Sequence, residues 1–155
     1  MNFQIHALGA ARFAPLFCQS SEALAEAKAL KITVDAHPGY PCRVSLVDAK
    51  VGETVLLVNY QHQPAKSPFQ AAHAIYVREH AEQAFPHPGT VPELFLKRLI
   101  SVRAFNGRQL ITNADVVDGA CLYKAIPAML NDSNVDYLHL HNAKLGCFLA
   151  RVTRA

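Results

Sequence analysis

The stretch VDYLHLHNAKLGCFLARVTR, residues 135–154, contains two runs of alternating side chains joined by a short polar segment. Successive side chains of a strand point to opposite faces, so Leu138 and Leu140 share one face while His139 and His141 share the other. We expect the leucine face to lie on the core and the histidine face to be the wetter one. The stretch therefore predicts a β-hairpin that presents two histidines side by side.

The register of this hairpin decides which side chains meet across it. If residues 142–146 form a five-residue loop, His141 lies opposite Cys147 and His139 lies opposite Leu149. Directly opposed residues have Cβ atoms about 5 Å apart. A loop of another length would shift the register and separate the histidine from the thiol.

In the rest of the chain, turn sequences such as Asn106-Gly107 separate apolar runs, a pattern typical of a compact globular fold. A helix over 20–30 can be capped by Ser20 or Ser21. Further strands are predicted at 31–36, 42–49, 54–60, 72–79, 100–106 and 107–117, and further helices at 91–99 and 118–130. Strands and helices that do not alternate strictly predict an α+β fold. We expect a single domain over residues 1–155, with a largely antiparallel sheet and two or three helices.

Composition excludes several classes of partner. The formal net charge is only +3, and the 15 basic residues are scattered rather than gathered in a stripe, which argues against nucleic acid. No apolar run approaches the roughly 20 residues that span a bilayer, and the first residues lack the basic start of a secretory signal. The four cysteines form no CxxC pair. We therefore expect a cytoplasmic protein with free thiols and no membrane partner.

The paired histidines admit a metal site. Side chains at i and i+2 of a strand converge well on one ion, so His139 and His141 are candidate ligands of a transition metal. The site would need a third ligand. The candidates for it are His62, His73, Asp115 and Cys147.

Two other functions and one bland explanation stay open for the same hairpin. Cys147 could be a nucleophile with His141 as its base and Asn142 as an orienting group, although Asn142 directly follows His141 and so faces the other way. The cluster could also bind a small polar ligand. The bland explanation is a solvated pair of histidines beside a buried thiol.

A second region with candidate residues is the pair of segments 38–46 and 59–79. Arg43 offers a fixed cation that could grip a carboxylate or phosphate, or lower the pKa of a nearby thiol. His62 lies in a polar, proline-containing segment of the kind that carries binding residues. Cys42 and Cys147 could form a redox pair if the fold brings them together.

Three motifs, PCRVSL (41–46), NYQHQP (59–64) and HLHNAKLGC (139–147), resemble those of a family of small bacterial proteins, the domain of unknown function numbered twelve hundred and three. The likeness runs over nearly the whole chain and implies one intact domain of bacterial origin. No catalytic residue comes with it. Its motif positions coincide with the candidate ligand-binding residues, which are Cys42, Arg43, His62, His141, Asn142 and Cys147.

These observations lead to two competing functions. The first is a pocket lined by cysteine, histidine and arginine that binds a small metabolite or a metal ion. The second is a non-catalytic module that associates with itself or a partner through an exposed strand. A binding site predicts that the polar groups converge in one concave pocket with a perturbed histidine or thiol, whereas a module predicts that they are dispersed.

Overall fold

A computed structural model describes residues 2–155, in which eight strands form two antiparallel sheets. The strands are β1 (Phe3–His6), β2 (Ala29–Thr33), β3 (Thr54–Gln63), β4 (Ala71–Arg78), β5 (Leu99–Phe105), β6 (Ile111–Asp118), β7 (Tyr137–Asn142) and β8 (Phe148–Arg154). The helices are α1 (Ser21–Glu26), α2 (Glu93–Leu96) and α3 (Leu122–Leu130), with 3-10 turns at Ala10–Arg12, Ala14–Cys18 and Gly119–Cys121. None of the helices within residues 2–155 combines the length and the apolar character that crossing a membrane requires.

The five-stranded sheet has the order β1-β8-β7-β5-β6, so the strand with the paired histidines lies at its centre. On one face of β7, Leu138 and Leu140 join an apolar cluster that includes Leu122 and Ile126 of α3. The leucine face therefore lies on the core, as the alternation predicted. Burial of these aliphatic side chains holds α3 against the sheet.

The three-stranded sheet has the order β2-β3-β4, with β3 in the middle. The run 54–60 is apolar on both faces, and side chains of both faces pack in apolar clusters. Leu56 and Val58 pack with Ile75 in one cluster, whereas Val55 packs in another. A strand buried on both sides belongs in the interior of its sheet, which is where β3 lies.

The predicted fold class needs a correction. The antiparallel sheets are confirmed, but the protein is a mostly-sheet structure rather than a clear α+β fold, because its helices are short. The helix expected over 20–30 ends at Glu26. Lys28 has a positive φ of 53°, a conformation through which a right-handed helix does not continue. Its cap is confirmed, since the Ser20 hydroxyl accepts a hydrogen bond from the Ala23 N–H at 3.2 Å.

The strand expected over 42–49 does not form. The chain folds back on itself there, with the Cys42 N–H donating to Val47 and the Leu46 N–H donating to Cys42. Its strand-like pairing is limited to isolated bridges, Pro41 with Asp48 and Cys42 with Tyr76. Single backbone hydrogen bonds, such as that from the Leu8 N–H to the Arg43 carbonyl, add further connections. The alternating apolar side chains of this segment belong to a compact turn and pack inward. A period of two residues alone does not distinguish such a turn from a strand.

The register predicted for the last hairpin is also wrong. His141 lies opposite Phe148 and His139 lies opposite Arg151. Leu149 is an extra residue of β8 in this pairing, a β-bulge between the two pairs. The bulge shifts the partner of His141 by one residue, from Leu149 to Phe148. Cys147 instead accepts a hydrogen bond at its carbonyl from the Asn142 N–H.

The histidine face of β7 is not exposed to solvent, contrary to the prediction from the alternation. His139 is 3% exposed and His141 is 1% exposed, because the three-stranded sheet packs over this face. The contact runs through His62 of β3, whose ring centroid lies 5.0 Å from that of His141. Both histidines therefore lie between the two sheets.

Candidate metal centre

Three histidines from the two sheets converge in the interior. His139 and His141 come from β7, at the centre of the five-stranded sheet, and His62 comes from the end of β3. One ring nitrogen from each lies within 4.8 Å of the others. The ring centroids are 5.0 Å apart for His62 and His141, and 5.9 Å apart for each of the other two pairs.

Two β-bulges aim these side chains. On β3 the pairing with β4 shifts between Tyr60 and Gln63, so His62 lies within the irregular part of the strand. On β8 the extra residue Leu149 places Phe148 opposite His141. Bulges bend a strand and redirect a side chain, and they are frequent beside functional sites.

The tautomer of His141 follows from its hydrogen bond. Its Nδ1 lies 2.9 Å from the carbonyl oxygen of Gly146, which can only accept, so Nδ1 carries the proton. The lone pair is then on Nε2, which is buried. A hydrogen-bonded second nitrogen that fixes the ring is the usual arrangement for a metal-binding histidine.

Each of the three rings has a buried nitrogen without a hydrogen-bond partner among residues 2–155: Nδ1 of His62, Nδ1 of His139 and Nε2 of His141. A buried polar group left unpaired costs about 1–3 kcal/mol. Such groups are rare in folded proteins and require an explanation. Three of them in one cluster indicate that the cluster is built for something other than its own hydrogen bonding.

All three imidazoles are held neutral. Burial lowers the pKa of His139 and of His141 to about 3, and neighbouring positive charges, including Arg103, act in the same direction. Burial lowers the pKa of His62 to about 4, again assisted by Arg103. A neutral imidazole has a free lone pair and can therefore act as a ligand without first losing a proton.

Aromatic rings wall the cluster. Phe148 stacks on His62 with centroids 5.3 Å apart and an interplanar angle of 10°, and its edge contacts His139 at 5.0 Å. Below them Tyr137 accepts a hydrogen bond on its hydroxyl from the Gln63 amide at 2.8 Å, a further link between the sheets. Phe148 thus contacts His62 and His139 directly, and the Gln63–Tyr137 hydrogen bond joins the two sheets beside them.

A cavity of about 640 Å³ reaches this cluster from the surface. His62 and His139 line it, while His141 lies behind them. Its other lining residues are Leu8, Tyr60, Gln63, Pro64, Ala65, Lys66, Gln109, Tyr137, Phe148 and Arg151. A molecule entering the cavity would meet two of the three imidazoles.

Cys42 and Cys147 both lie near Arg43, and none of the three is among the residues that line the cavity. Arg43 is 1% exposed, and it donates from Nε to the Phe148 carbonyl at 2.7 Å and from Nη1 to the Pro41 carbonyl at 2.5 Å. Burial lowers its pKa, and the Cys147 and Cys42 sulfurs oppose that effect. Both thiols are free, and the hydrogen bond from Arg43 to the Phe148 carbonyl fixes the start of β8.

The remaining candidates lie outside the cluster. The Asn142 side chain accepts a hydrogen bond from the Lys144 N–H at 3.2 Å, which is turn geometry. Asp115 is exposed on β6, an edge strand. His73 lies on β4 opposite Tyr60, and its Nδ1 is 2.9 Å from the Ala74 carbonyl. Of the four candidates for a third ligand, the fold brings His62 into the cluster.

Sequence reasoning missed the residues that surround the histidines. Phe148, Arg103 and Arg151 are neighbours of the cluster only through strand pairing, and the position of Phe148 depends in addition on a bulge. A register that placed Arg151 opposite His139 would have found one of them. The sequence carries no local signal for the inserted residue.

Comparison with known proteins gives the family and little else. No curated protein and no solved structure matches the chain. The sequence model of the family described as "Protein of unknown function (DUF1203)" matches residues 39–154, a span that contains His62, His139 and His141. Because this match covers well over half of the chain, the protein belongs to the DUF1203 family.

Proposed function

We propose that the protein binds one transition-metal ion, with zinc as the first candidate, through His62, His139 and His141. The observation that carries the proposal is the convergence of three imidazole nitrogens within 4.8 Å in the interior. A metal ion would take the lone pairs of neutral rings that otherwise have unpaired nitrogens. Zinc–nitrogen bonds of about 2.0–2.1 Å in tetrahedral geometry place ligand nitrogens roughly 3.4 Å apart, which small side-chain rotations would reach.

The number of ligands indicates a centre that is open rather than purely structural. Structural zinc sites have four protein ligands, whereas three protein ligands leave a position for water or substrate. The cavity lined by His62 and His139 gives a route to that position. An ion held there would act as a Lewis acid on a bound molecule.

The geometry supports a site over an interaction module. A module predicts dispersed polar residues, but the three histidines meet in one concave region and the pKa of each is strongly lowered by burial. Arg43 and Cys147 belong to the support of this centre, since Arg43 donates a hydrogen bond to the Phe148 carbonyl and Phe148 contacts the histidines. In this proposal they position the centre and do not ligate the ion.

Metal content tests the proposal directly. The protein, purified without a histidine tag and without chelators, is analysed for metals and then titrated with zinc against a chromophoric chelator. We expect about one equivalent of zinc per chain, and a loss of affinity of more than about tenfold in His62→Gln, His139→Gln and His141→Gln.

His87→Gln is the matched control, because His87 is exposed and outside the cluster. It should bind zinc like the parent protein. Circular dichroism of each variant separates loss of a ligand from loss of the fold. Failure of the folded parent protein to bind zinc, cobalt or nickel, or equal affinities in the cluster variants and the control, would overturn the proposal.

A further inference from the structure

The cavity beside the three histidines carries positive charge and no negative charge. Among residues 2–155, its charged lining residues are Lys66 and Arg151, and no aspartate or glutamate lines it. Its walls also include the aromatic rings of Tyr60, Tyr137 and Phe148. A volume of about 640 Å³ lies in the usual range for pockets that hold small organic molecules.

Strand register adds a third cation. Arg103 of β5 and Arg151 of β8 lie directly opposite His139, one on each side, so a row of arginine, histidine and arginine crosses the sheet. Cross-strand partners point to the same face. The guanidinium of Arg151 lies over the Tyr137 ring at 4.2 Å, and Arg103 donates to the Ser101 hydroxyl at 3.3 Å.

Neither arginine of this row, nor Lys66, forms an ion pair with a carboxylate among residues 2–155. The ion pairs of the described residues use Arg78, Lys97 and Arg98 instead. Burial lowers the pKa of Arg103, which marks the cost of holding a cation there without a partner. The protein therefore concentrates unneutralised positive charge around one cavity.

A metal ion would increase this imbalance. Three neutral imidazoles leave the full charge of a divalent ion uncompensated, and Arg103 and Arg151 lie on either side of one ligand. An anion in the open coordination position would neutralise the ion and the arginines together. Lysine and arginine are the side chains that grip carboxylate and phosphate groups.

We propose that this cavity binds a small organic oxyanion, a carboxylate or phosphate on an apolar or aromatic body, whose charged group is held by Arg151 and Lys66 beside the metal position. The aromatic walls contact the body of the molecule. This inference rests on the proposed function, because the metal ion forms one side of the binding site. Anion and metal binding are then coupled, and each raises the affinity for the other by the same factor.

The test uses benzoate and phenyl phosphate as probes, with benzamide as the neutral counterpart of benzoate. Their binding to the zinc-loaded protein is measured by calorimetry at low salt. We expect one of the two anions to bind, benzamide to bind at least about tenfold more weakly, and added salt to weaken the anion. Zinc affinity should rise when the anion is present.

Arg151→Gln and Lys66→Gln should each weaken the anion by about five- to tenfold without reducing zinc affinity. Lys97→Gln is the matched control, since it removes one exposed positive charge outside the cavity.

Normal zinc uptake with no anion binding would overturn this inference and leave the proposed metal site standing. Anion binding that is unchanged in both cavity variants would do the same. If the parent protein takes up no metal, the proposed function fails by itself. The proposal that the cavity binds an anion is then tested on the metal-free protein. Anion binding that is weakened by Arg151→Gln supports it, and the absence of anion binding overturns it.

Discussion

His141 shows how one backbone carbonyl can prepare a side chain for a role. Gly146 has a positive φ of 78° in the turn between β7 and β8, and its carbonyl accepts a hydrogen bond from the His141 Nδ1–H. This bond fixes both the orientation of the ring and the nitrogen that bears the lone pair. The free nitrogen then points into a cluster where His62 and His139 also have unpaired nitrogens.

The lowered pKa values make the stability of the metal-free protein depend on pH. An unfolded histidine has a pKa of about 6.5, whereas His139 and His141 have folded values of about 3, so the unfolded chain binds more protons between these limits. Stability contributed by the neutral rings is complete above pH 6.5 or so and is lost as pH falls toward 3. Urea unfolding of the chelator-treated protein from pH 7.5 to 4.5 should show this fall.

His139→Gln isolates the contribution of one ring to that slope. Below about pH 6, the free energy of unfolding of the parent protein should fall more steeply than that of the variant, by about 1 kcal/mol per pH unit. The comparison uses slopes, so a constant loss of stability in the variant does not affect it. Parallel curves for the two proteins would show that His139 does not stay neutral on folding.

At the scale of the elements, the bulge in β8 determines which side chain lies opposite His141. Regular pairing of β7 with β8 would keep His139 opposite Arg151 but would place Leu149, rather than Phe148, opposite His141. The ring that stacks on His62 would then be absent from the cluster. A single inserted residue thus exchanges an aliphatic neighbour for an aromatic one that contacts all three histidines.

The junction between β6 and α3 depends on a glycine for steric reasons. A Cβ atom on Gly119 would lie 1.8 Å from the carbonyl oxygen of Phe95 and 3.0 Å from that of Arg98. Both obstacles are backbone and cannot rotate away. Gly119→Ala should therefore lower the free energy of unfolding by about 3 kcal/mol or more, as measured in urea.

Gly39→Ala is the control for that substitution. A Cβ atom on Gly39 meets nothing within 4 Å, and its φ is not in the left-handed region. The free energy of unfolding should change by no more than about 0.5 kcal/mol. A stable Gly119→Ala protein would mean that α2 and the turn before α3 can separate without cost.

Across the whole molecule, the proposed ion would join the two sheets, since His62 belongs to one and His139 and His141 to the other. Zinc should raise the free energy of unfolding by about 2.7 kcal/mol at a free concentration 100 times the dissociation constant. It should also slow hydrogen exchange in β3 and β7 together. Thermal unfolding with and without zinc measures the first effect.

His62→Gln provides the control, because it leaves two ligands on one strand and none on the other sheet. In this variant zinc should give little stabilisation and should not protect β3. If zinc stabilises the variant as much as the parent protein, the ion binds elsewhere and does not connect the sheets.

Sequence periodicity was enough to locate most strands and to identify His139 and His141 as neighbours on one face of a strand. Local chemistry also limited the helix cap to Ser20 or Ser21, of which the structure uses Ser20, and identified the turn after Phe105. These features depend on residues close together in the chain. Propensity and alternation describe such local relations well.

Tertiary structure alone decided the register of β7 with β8, the burial of the histidine face and the choice of His62 among four candidate ligands. Alternation separates the two faces of a strand but does not say what covers each face. His62 and His141 are far apart in sequence, and only the packing of one sheet on the other brings their rings to 5.0 Å. The sequence by itself determined the pair of histidines, and the contact between the sheets made the pair a cluster of three.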